Sequence, residues 1–289
     1  MSVRLSASKI HLTGRLTNCP LCSSPRLKPE FSISIFDTML SWDSCLACDL
    51  VFQNPRLDDE TIQLIYKSED YWNTAYSNYE EQEETRVEES RVRLKKIMSV
   101  TGLQPGKLLD VGCATGFFAA AAKEKGFLVK GIDPSPELAE FGRKRHGIEI
   151  ECDILEGVRL EDEFYDLITL WGTDSHFLNP LEGFQKLVRS LKPGGIFCMT
   201  YQNFRHWVRI FFPGIKKSWN ALYNLSPKSL QVLFDKVGLE IILHELEWRK
   251  TTLGHIGRMA KMPSFLGFQN QIISVPALSF PLVIARKKR

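Results

Sequence analysis

Leu108-Leu-Asp-Val-Gly-Cys-Ala-Thr-Gly-Phe-Phe118, with Gly131-Ile-Asp-Pro-Ser135 a short way downstream, decides how this chain is read. The first stretch is an apolar strand that turns on glycines into a helix, and the second is a strand ending on Asp133. Strand, glycine turn, helix and a second strand closing on a carboxylate together form a cradle for a nucleoside cofactor at the mouth of a parallel sheet. Gly112 and Gly116 permit tight backbone geometry and close ligand approach, and the helix start presents free N–H groups. The pattern is Gly-x-x-x-Gly with Ala114 in between, a poor match to the Gly-x-Gly-x-x-Gly of nicotinamide sites. Asp110 suits a cationic ligand group better than a pyrophosphate, and Asp133 suits a ribose diol. A cation near the loop and a ribose beyond it describe S-adenosylmethionine.

Around this core, strands and helices alternate, which predicts a parallel α/β sheet. Strands are expected near Lys107–Gly112, Leu128–Asp133, Glu149–Cys152, Tyr165–Trp171 and Gly195–Tyr201, with helices near Gly116–Lys125, Pro136–His146 and Pro180–Leu191. Leu191-Lys-Pro-Gly-Gly195 breaks helix from strand. Ser226 caps a further helix reaching Val237, followed by strands Leu239–Leu246 and Leu278–Ala285. The catalytic domain is expected to span 104–289, with substrate-lid insertions near 202–225 and 250–277, and a helical linker or lid covers 73–103. Residues 1–16 read as a disordered leader. They lack the apolar run of a secretory signal, and no stretch is long enough to cross a bilayer, so a cytoplasmic location is expected.

Residues 17–72 carry two knuckles, Cys19-Pro-Leu-Cys22 and Cys45-Leu-Ala-Cys48. Each pair chelates one metal from a tight turn, and the intervening segment suits a hairpin that brings the pairs together. Four thiolates make a structural Zn2+ site with no open coordination position. Disulfides or redox chemistry are the alternative use of these cysteines.

The segment from Leu108 to Tyr201 resembles the class I S-adenosylmethionine-dependent methyltransferases. Asp110–Gly116 matches their first motif, Asp133 their ribose acid, Phe164–Trp171 their fourth strand, and Leu191–Gly195 a further signature. The resemblance implies a Rossmann-like sheet of seven strands with the last antiparallel. It implies a cofactor shell of Asp110, Gly112, Cys113, Ala114, Gly116, Asp133, Asp153, Trp171 and Gly172, with Asp153 near the adenine amine. Asp153 also reads as a helix-capping or loop aspartate, and Trp171 as a core aromatic. The region after the second knuckle, from Asp49 through Tyr66 to Trp72, resembles the zinc-ribbon extension of a methyltransferase group acting on sugars and specialised small molecules.

Methyl transfer from a sulfonium is an in-line displacement, and a general base is needed only for an acceptor of high pKa. His176 falls in the loop after the fourth strand, where related enzymes often carry Glu-His; here Ser175 replaces the glutamate. It is a candidate base, or a histidine that orients its own loop. Tyr201 is the second candidate for acceptor contact or proton transfer. The aromatic and basic run 204–219 reads as a lid, a shallow membrane contact or a core helix, and Tyr66, Tyr71, Tyr76 and Tyr79 as a cover over the cofactor or packing for the linker.

The leading expectation is O-methylation of a small-molecule or glycosyl acceptor. An RNA base methyltransferase and a cofactor-binding relative without activity are the competing readings. A net charge of +3 and the acids Asp37, Asp43, Asp49, Asp58, Asp59 and Glu60 in the ribbon region disfavour nucleic acid. The acceptor, the methylated atom and the oligomeric state are not written in the sequence.

Overall fold

A computed structural model describes residues 10–35, 37–68, 83–207, 219–252 and 272–289. The chain opens with β1 (Leu27–Ile35), β2 (Thr38–Cys45) and β3 (Val51–Gln53), then α1 (Asp59–Tyr66) and the longer α2 (Glu83–Thr101). β1 and β2 form an antiparallel hairpin, and β3 adds to β2. Residues 10–16 are not a loose leader. Leu12 bridges to Leu57, the Leu16 N–H donates to Asn54 Oδ1 at 2.7 Å, and Arg15 pairs with the buried Asp43 at 2.7 Å. Tyr71, Tyr76 and Tyr79, residues 1–9 and most of the run 204–219 lie outside the described residues.

The second unit alternates as expected: β4 (Lys107–Val111), α3 (Phe117–Glu124), β5 (Leu128–Ile132), α4 (Pro136–His146), β6 (Glu149–Glu151), β7 (Tyr165–Trp171), α5 (Pro180–Ser190) and β8 (Leu191–Thr200). After these come β9 (Tyr223–Asn224), α6 (Pro227–Val237), β10 (Leu239–Thr252) and β11 (Ile272–Lys287). The helix starts follow local chemistry. Ser135, Asn179 and Ser226 accept from the first free N–H groups of α4, α5 and α6, each with a proline just inside the helix. Ser226 and Ser229 cap one another reciprocally.

Seven strands form one sheet in the order β10-β11-β8-β7-β4-β5-β6. β11 runs antiparallel to both neighbours, and the β4, β5, β6, β7 and β8 pairings are parallel, so the last strand in the chain is the antiparallel one. β4 has β5 on one side and β7 on the other, so the winding reverses at its carboxyl end. That reversal opens a crevice, the place where open α/β sheets bind ligands.

Two differences from expectation stand out. The β10–β11 hairpin is longer than read: residues 248–252 pair with 272–276 as its outer end, so that 250–252 and 272–276, expected inside an insertion, belong to the sheet. The two sheets also share one core. Trp42, Phe52, Leu57 and Ile65 of the N-terminal unit cluster with Leu170, Phe184, Phe197, Tyr201 and Phe234. β9, from within the expected lid 202–225, joins β3 as the fourth strand of the N-terminal sheet. Sequence patterning does not show such pairing, because the partners are about 170 residues apart in the chain. No described helix is long and apolar enough to cross a membrane.

Candidate active site

The crevice at the carboxyl ends of the central strands is an open cleft. Its walls come from Val111, Gly112 and Ala114 after β4, from Asp133 after β5, from Asp153 to Glu156 after β6, and from Trp171 to Thr173, His176 and Phe177 after β7. Tyr66, at the end of α1, closes one side.

The glycine turn is built for close approach. Gly112 adopts φ +66°, Ala114 φ +50° and Gly116 φ +79°. A Cβ on Gly112 would stand 2.3 Å from Thr173 Oγ1, so only glycine satisfies both backbone and space. The carboxylate of Asp133 spans the turn, accepting from the Ala114 N–H at 2.8 Å and the Ser135 N–H at 3.0 Å. Each oxygen keeps a further lone pair for a ligand hydroxyl. Burial raises Asp133 to about 6, against the pull of those two N–H groups. Asp153 lines the cleft and accepts from the next backbone N–H at 2.8 Å; a turn follows it, not a helix, so it caps nothing.

Alternation along β4 separates Asp110 from the cleft, and the turn geometry after it separates the Cys113 thiol. Leu109 and Val111 face the core shared with the N-terminal sheet, while Leu108 faces α2 and Asp110 lies on that same side. The Asp110 carboxylate accepts from Thr169 Oγ1 at 2.7 Å and is not among the cleft-lining residues. Burial pushes it up to about 7, opposed by the Thr169 hydroxyl and the Arg93 charge. Cys113 turns its thiol into a small cluster with Ala119, Ala139, Ile148 and Ile150 and is not among the cleft-lining residues. Gly116 serves as N-cap of α3, and Gly172, at φ +74°, turns the chain past β7.

Trp171 does two jobs. It lines the cleft while its ring packs on Phe118 at 4.7 Å, and its buried indole Nε1 has no partner among the described residues. Arg93 of α2, within the segment expected to be a helical linker or lid, sits with its guanidinium 4.8 Å from the centre of that ring. Ion pairs to the buried Glu89, at 3.3 Å, and to Glu247 of β10 hold it there. Its importance is a tertiary fact. The one local signal was Glu89 a helical turn earlier, an i,i+4 pair.

Of His176 and Tyr201, only His176 lines the cleft. His176 follows β7 in a short 3-10 turn and lines the cleft, edge-on to Tyr66 at 6.0 Å. Burial drives its imidazole down to about 4, against the Asn220 carbonyl that its ring faces. The ring is therefore neutral at pH 7, and its buried Nδ1 has no partner among the described residues. Tyr201 is fully buried, its hydroxyl 3.2 Å from Nε2 of His244 on β10, and it does not line this cleft. Burial and the nearby Asp174 charge raise its hydroxyl well above the ordinary range.

The four knuckle cysteines converge as expected. Their sulfurs lie within 4.8 Å of one another, with Cys19 and Cys48 at 3.7 Å and Cys22 and Cys45 at 3.5 Å. The N–H groups of Leu21 and Ala47 point at the sulfurs of Cys19 and Cys45, both at 3.4 Å. Donors of this kind stabilise thiolate charge at a metal. None of the four is joined in a disulfide.

A methyltransferase domain family model matches residues 79–244, more than half of the chain. Among curated proteins, the ubiquinone biosynthesis O-methyltransferase of Coxiella burnetii is 27% identical over 152 residues, covering 47% of this chain and 59% of that protein. The chain spans about half the length of the curated relatives it matches. Among solved structures, a putative methyltransferase from Bacillus halodurans superposes with a TM-score of 0.52 at 15% identity, over 68% of this chain and 99% of that one. The plantazolicin methyltransferase BpumL, in complex with S-adenosylhomocysteine, gives 0.53 at 15% identity, over 79% and 94%. With the sheet order, the antiparallel last strand and the glycine turn, these matches show that the chain belongs to the methyltransferase domain family and has the class I S-adenosylmethionine-dependent fold.

Proposed function

We propose that the chain transfers the methyl group of S-adenosylmethionine to a hydroxyl oxygen of a small-molecule or sugar-containing acceptor. The observation that carries this reading is the cleft lined by Gly112, Asp133, Asp153 and His176, with the imidazole neutral and its Nδ1 without a partner among the described residues. The cleft suits the cofactor: a glycine turn brings backbone to its edge, and Asp133 offers a carboxylate with spare lone pairs. When bound, the cofactor supplies an electrophilic methyl on a sulfonium. Gly112 lets the ligand lie against the backbone, Asp133 accepts from the ribose hydroxyls, and Asp153 faces the base beyond them. His176, whose ring lines the cleft, would hold the acceptor hydroxyl and take its proton as the oxygen bonds to the methyl carbon and the carbon–sulfur bond breaks, releasing S-adenosylhomocysteine.

A base held near 4 is weak, so an acidified hydroxyl such as a phenol or catechol suits it better than an alkanol. The Coxiella burnetii relative is named an O-methyltransferase, which supports an oxygen acceptor. The test is incubation with cofactor carrying an isotopically heavy methyl, against catechols, phenols, glycosides and RNA. Label on a phenolic or sugar oxygen supports the proposal; label on RNA alone overturns it. With an accepted phenol, His176→Gln should lower kcat by roughly a hundredfold, the lower range for a general base, with S-adenosylhomocysteine affinity kept. An unchanged kcat removes the base role.

The raised value of Asp133 sets a pH expectation. Ligand hydroxyls donate to the ionised carboxylate, so binding requires loss of the Asp133 proton. Affinity for S-adenosylhomocysteine should therefore be flat above about 6 and fall as the pH drops below it. Asp133→Asn should bind weakly at every pH and lose this dependence. Calorimetry from pH 5 to 8 checks both, and an equally steep acid fall in the variant would assign the titration to another group.

The four thiols of Cys19, Cys22, Cys45 and Cys48 hold a structural Zn2+ in this reading. Two knuckles and backbone N–H groups aimed at two of the sulfurs support it, and the all-sulfur set excludes a catalytic role.

A further inference from the structure

We infer that the N-terminal sheet is the positioning element of the acceptor side of the active site: Trp42 and Gln53 fix the backbone at 219–222 and, through it, the imidazole of His176. The inference rests on the methyltransferase reading above and assigns the sheet a task within it.

The contacts form one chain. Trp42, fully buried on β2, donates its indole N–H to the Ala221 carbonyl at 3.0 Å. Gln53 of β3 donates its side-chain N–H to the Trp219 carbonyl at 3.3 Å, and its backbone N–H to the Leu222 carbonyl at 2.7 Å. β3 then pairs with Tyr223 and Asn224. The same backbone reaches the reacting loop twice: the Leu222 N–H donates to the Ser175 carbonyl at 2.9 Å, and the Asn220 carbonyl faces the His176 ring.

The other stem of the segment is held on the same sheet. Phe31 of β1 stacks between Trp42 at 4.7 Å and Phe204 at 5.7 Å, and Arg205 pairs with Glu30 at 2.8 Å. The Phe204 N–H donates to the Leu225 carbonyl at 3.0 Å and closes the two stems on each other. Both ends of 204–225 are thus anchored by β1 to β3. The glycine turn and Asp133 are anchored by β4 and β5, with no bond to this sheet among the described residues. The hydrogen-bond anchors of the cofactor and acceptor sides are therefore distinct, while β4 and β5 share their apolar core with the N-terminal sheet.

That separation makes the inference testable without a known acceptor. Trp42→Phe keeps an aromatic against Phe31 and removes only the donor to Ala221. Gln53→Glu keeps the acceptor for the Leu57 N–H, present at 2.6 Å, and sets a carboxylate against the Trp219 carbonyl. The chain has six histidines, so ring resonances can be assigned by comparison with His176→Gln. Nitrogen-detected NMR titration of His176 is read beside calorimetric affinity for S-adenosylhomocysteine. In the unmutated protein His176 should titrate near 4. In both variants, loosened cover should move it at least one pH unit toward the ordinary 6.5, with cofactor-product affinity within about twofold. An unmoved His176 in Trp42→Phe overturns the inference, and so does a tenfold loss of S-adenosylhomocysteine affinity in that variant. Failure of the unmutated chain to bind S-adenosylhomocysteine would instead overturn the methyltransferase reading.

Discussion

Gly112→Ala is expected to abolish measurable binding of S-adenosylmethionine and all methyl transfer, in a protein that still folds. Two independent effects act at this position. The backbone stands at φ +66°, where an L side chain costs about 1–2 kcal/mol. A Cβ would also lie 2.3 to 2.8 Å from three side-chain atoms of Thr173, so the β4–α3 turn or the β7 loop must move. A shift of about 1 Å in a positioning element costs on the order of a hundredfold in rate, and in the proposed reading the displaced backbone is the surface that meets the cofactor. The steric part can be separated from the strain: Thr173→Gly removes the atoms in the way, so Gly112→Ala with Thr173→Gly should regain part of the affinity. Calorimetry with S-adenosylhomocysteine checks both variants. Wild-type affinity in Gly112→Ala would mean that the ligand does not lie against this turn.

The glycine turn was legible because its backbone requirements are local; the closeness of Thr173 to Gly112 is not. The φ values of Gly112 and Gly116, the caps at Ser135, Asn179 and Ser226, and the strand ending on Asp133 each depend on residues a few positions apart. Strand count and the antiparallel last strand came from the family resemblance, and the sheet order agrees with it. Asp110 and Cys113 show what a motif leaves out. Both stand in the matched stretch, yet one faces Thr169 and the other a core cluster, because side-chain direction depends on strand register and turn geometry. Arg93 over Trp171, Tyr201 against His244, and Trp42 on Ala221 join distant segments. No period or spacing in a single sequence encodes such pairs. They appear only when two elements pack.

Loss of the four-cysteine site should produce the largest stability change in the molecule. Cys45 is fully buried at the end of β2, its sulfur 3.5 Å from that of Cys22, and its backbone N–H donates to the Leu50 carbonyl just before β3. Serine at this position supplies a poorer ligand for Zn2+ and leaves a buried hydroxyl. Structural Zn2+ contributes about 10–16 kcal/mol of apparent binding energy in small zinc-finger peptides. Here Trp42, Leu50 and Phe52 pack the same sheet into the main core, so part of the order should survive without metal. The expected outcome for Cys45→Ser is loss of bound zinc and a fall in Tm of more than about 10 °C, which for a chain of this size corresponds to several kcal/mol. Cys152→Ser, at an exposed thiol outside the cluster, is the control and should leave both unchanged. Chelation of the unmutated protein should reproduce the Cys45→Ser result. The damage should also be directional: β3 carries β9, so metal loss should disturb His176 before it disturbs Gly112 and Asp133. Zinc-free protein on elemental analysis, with the same Tm before and after chelation, would show that the four thiols pack without a metal.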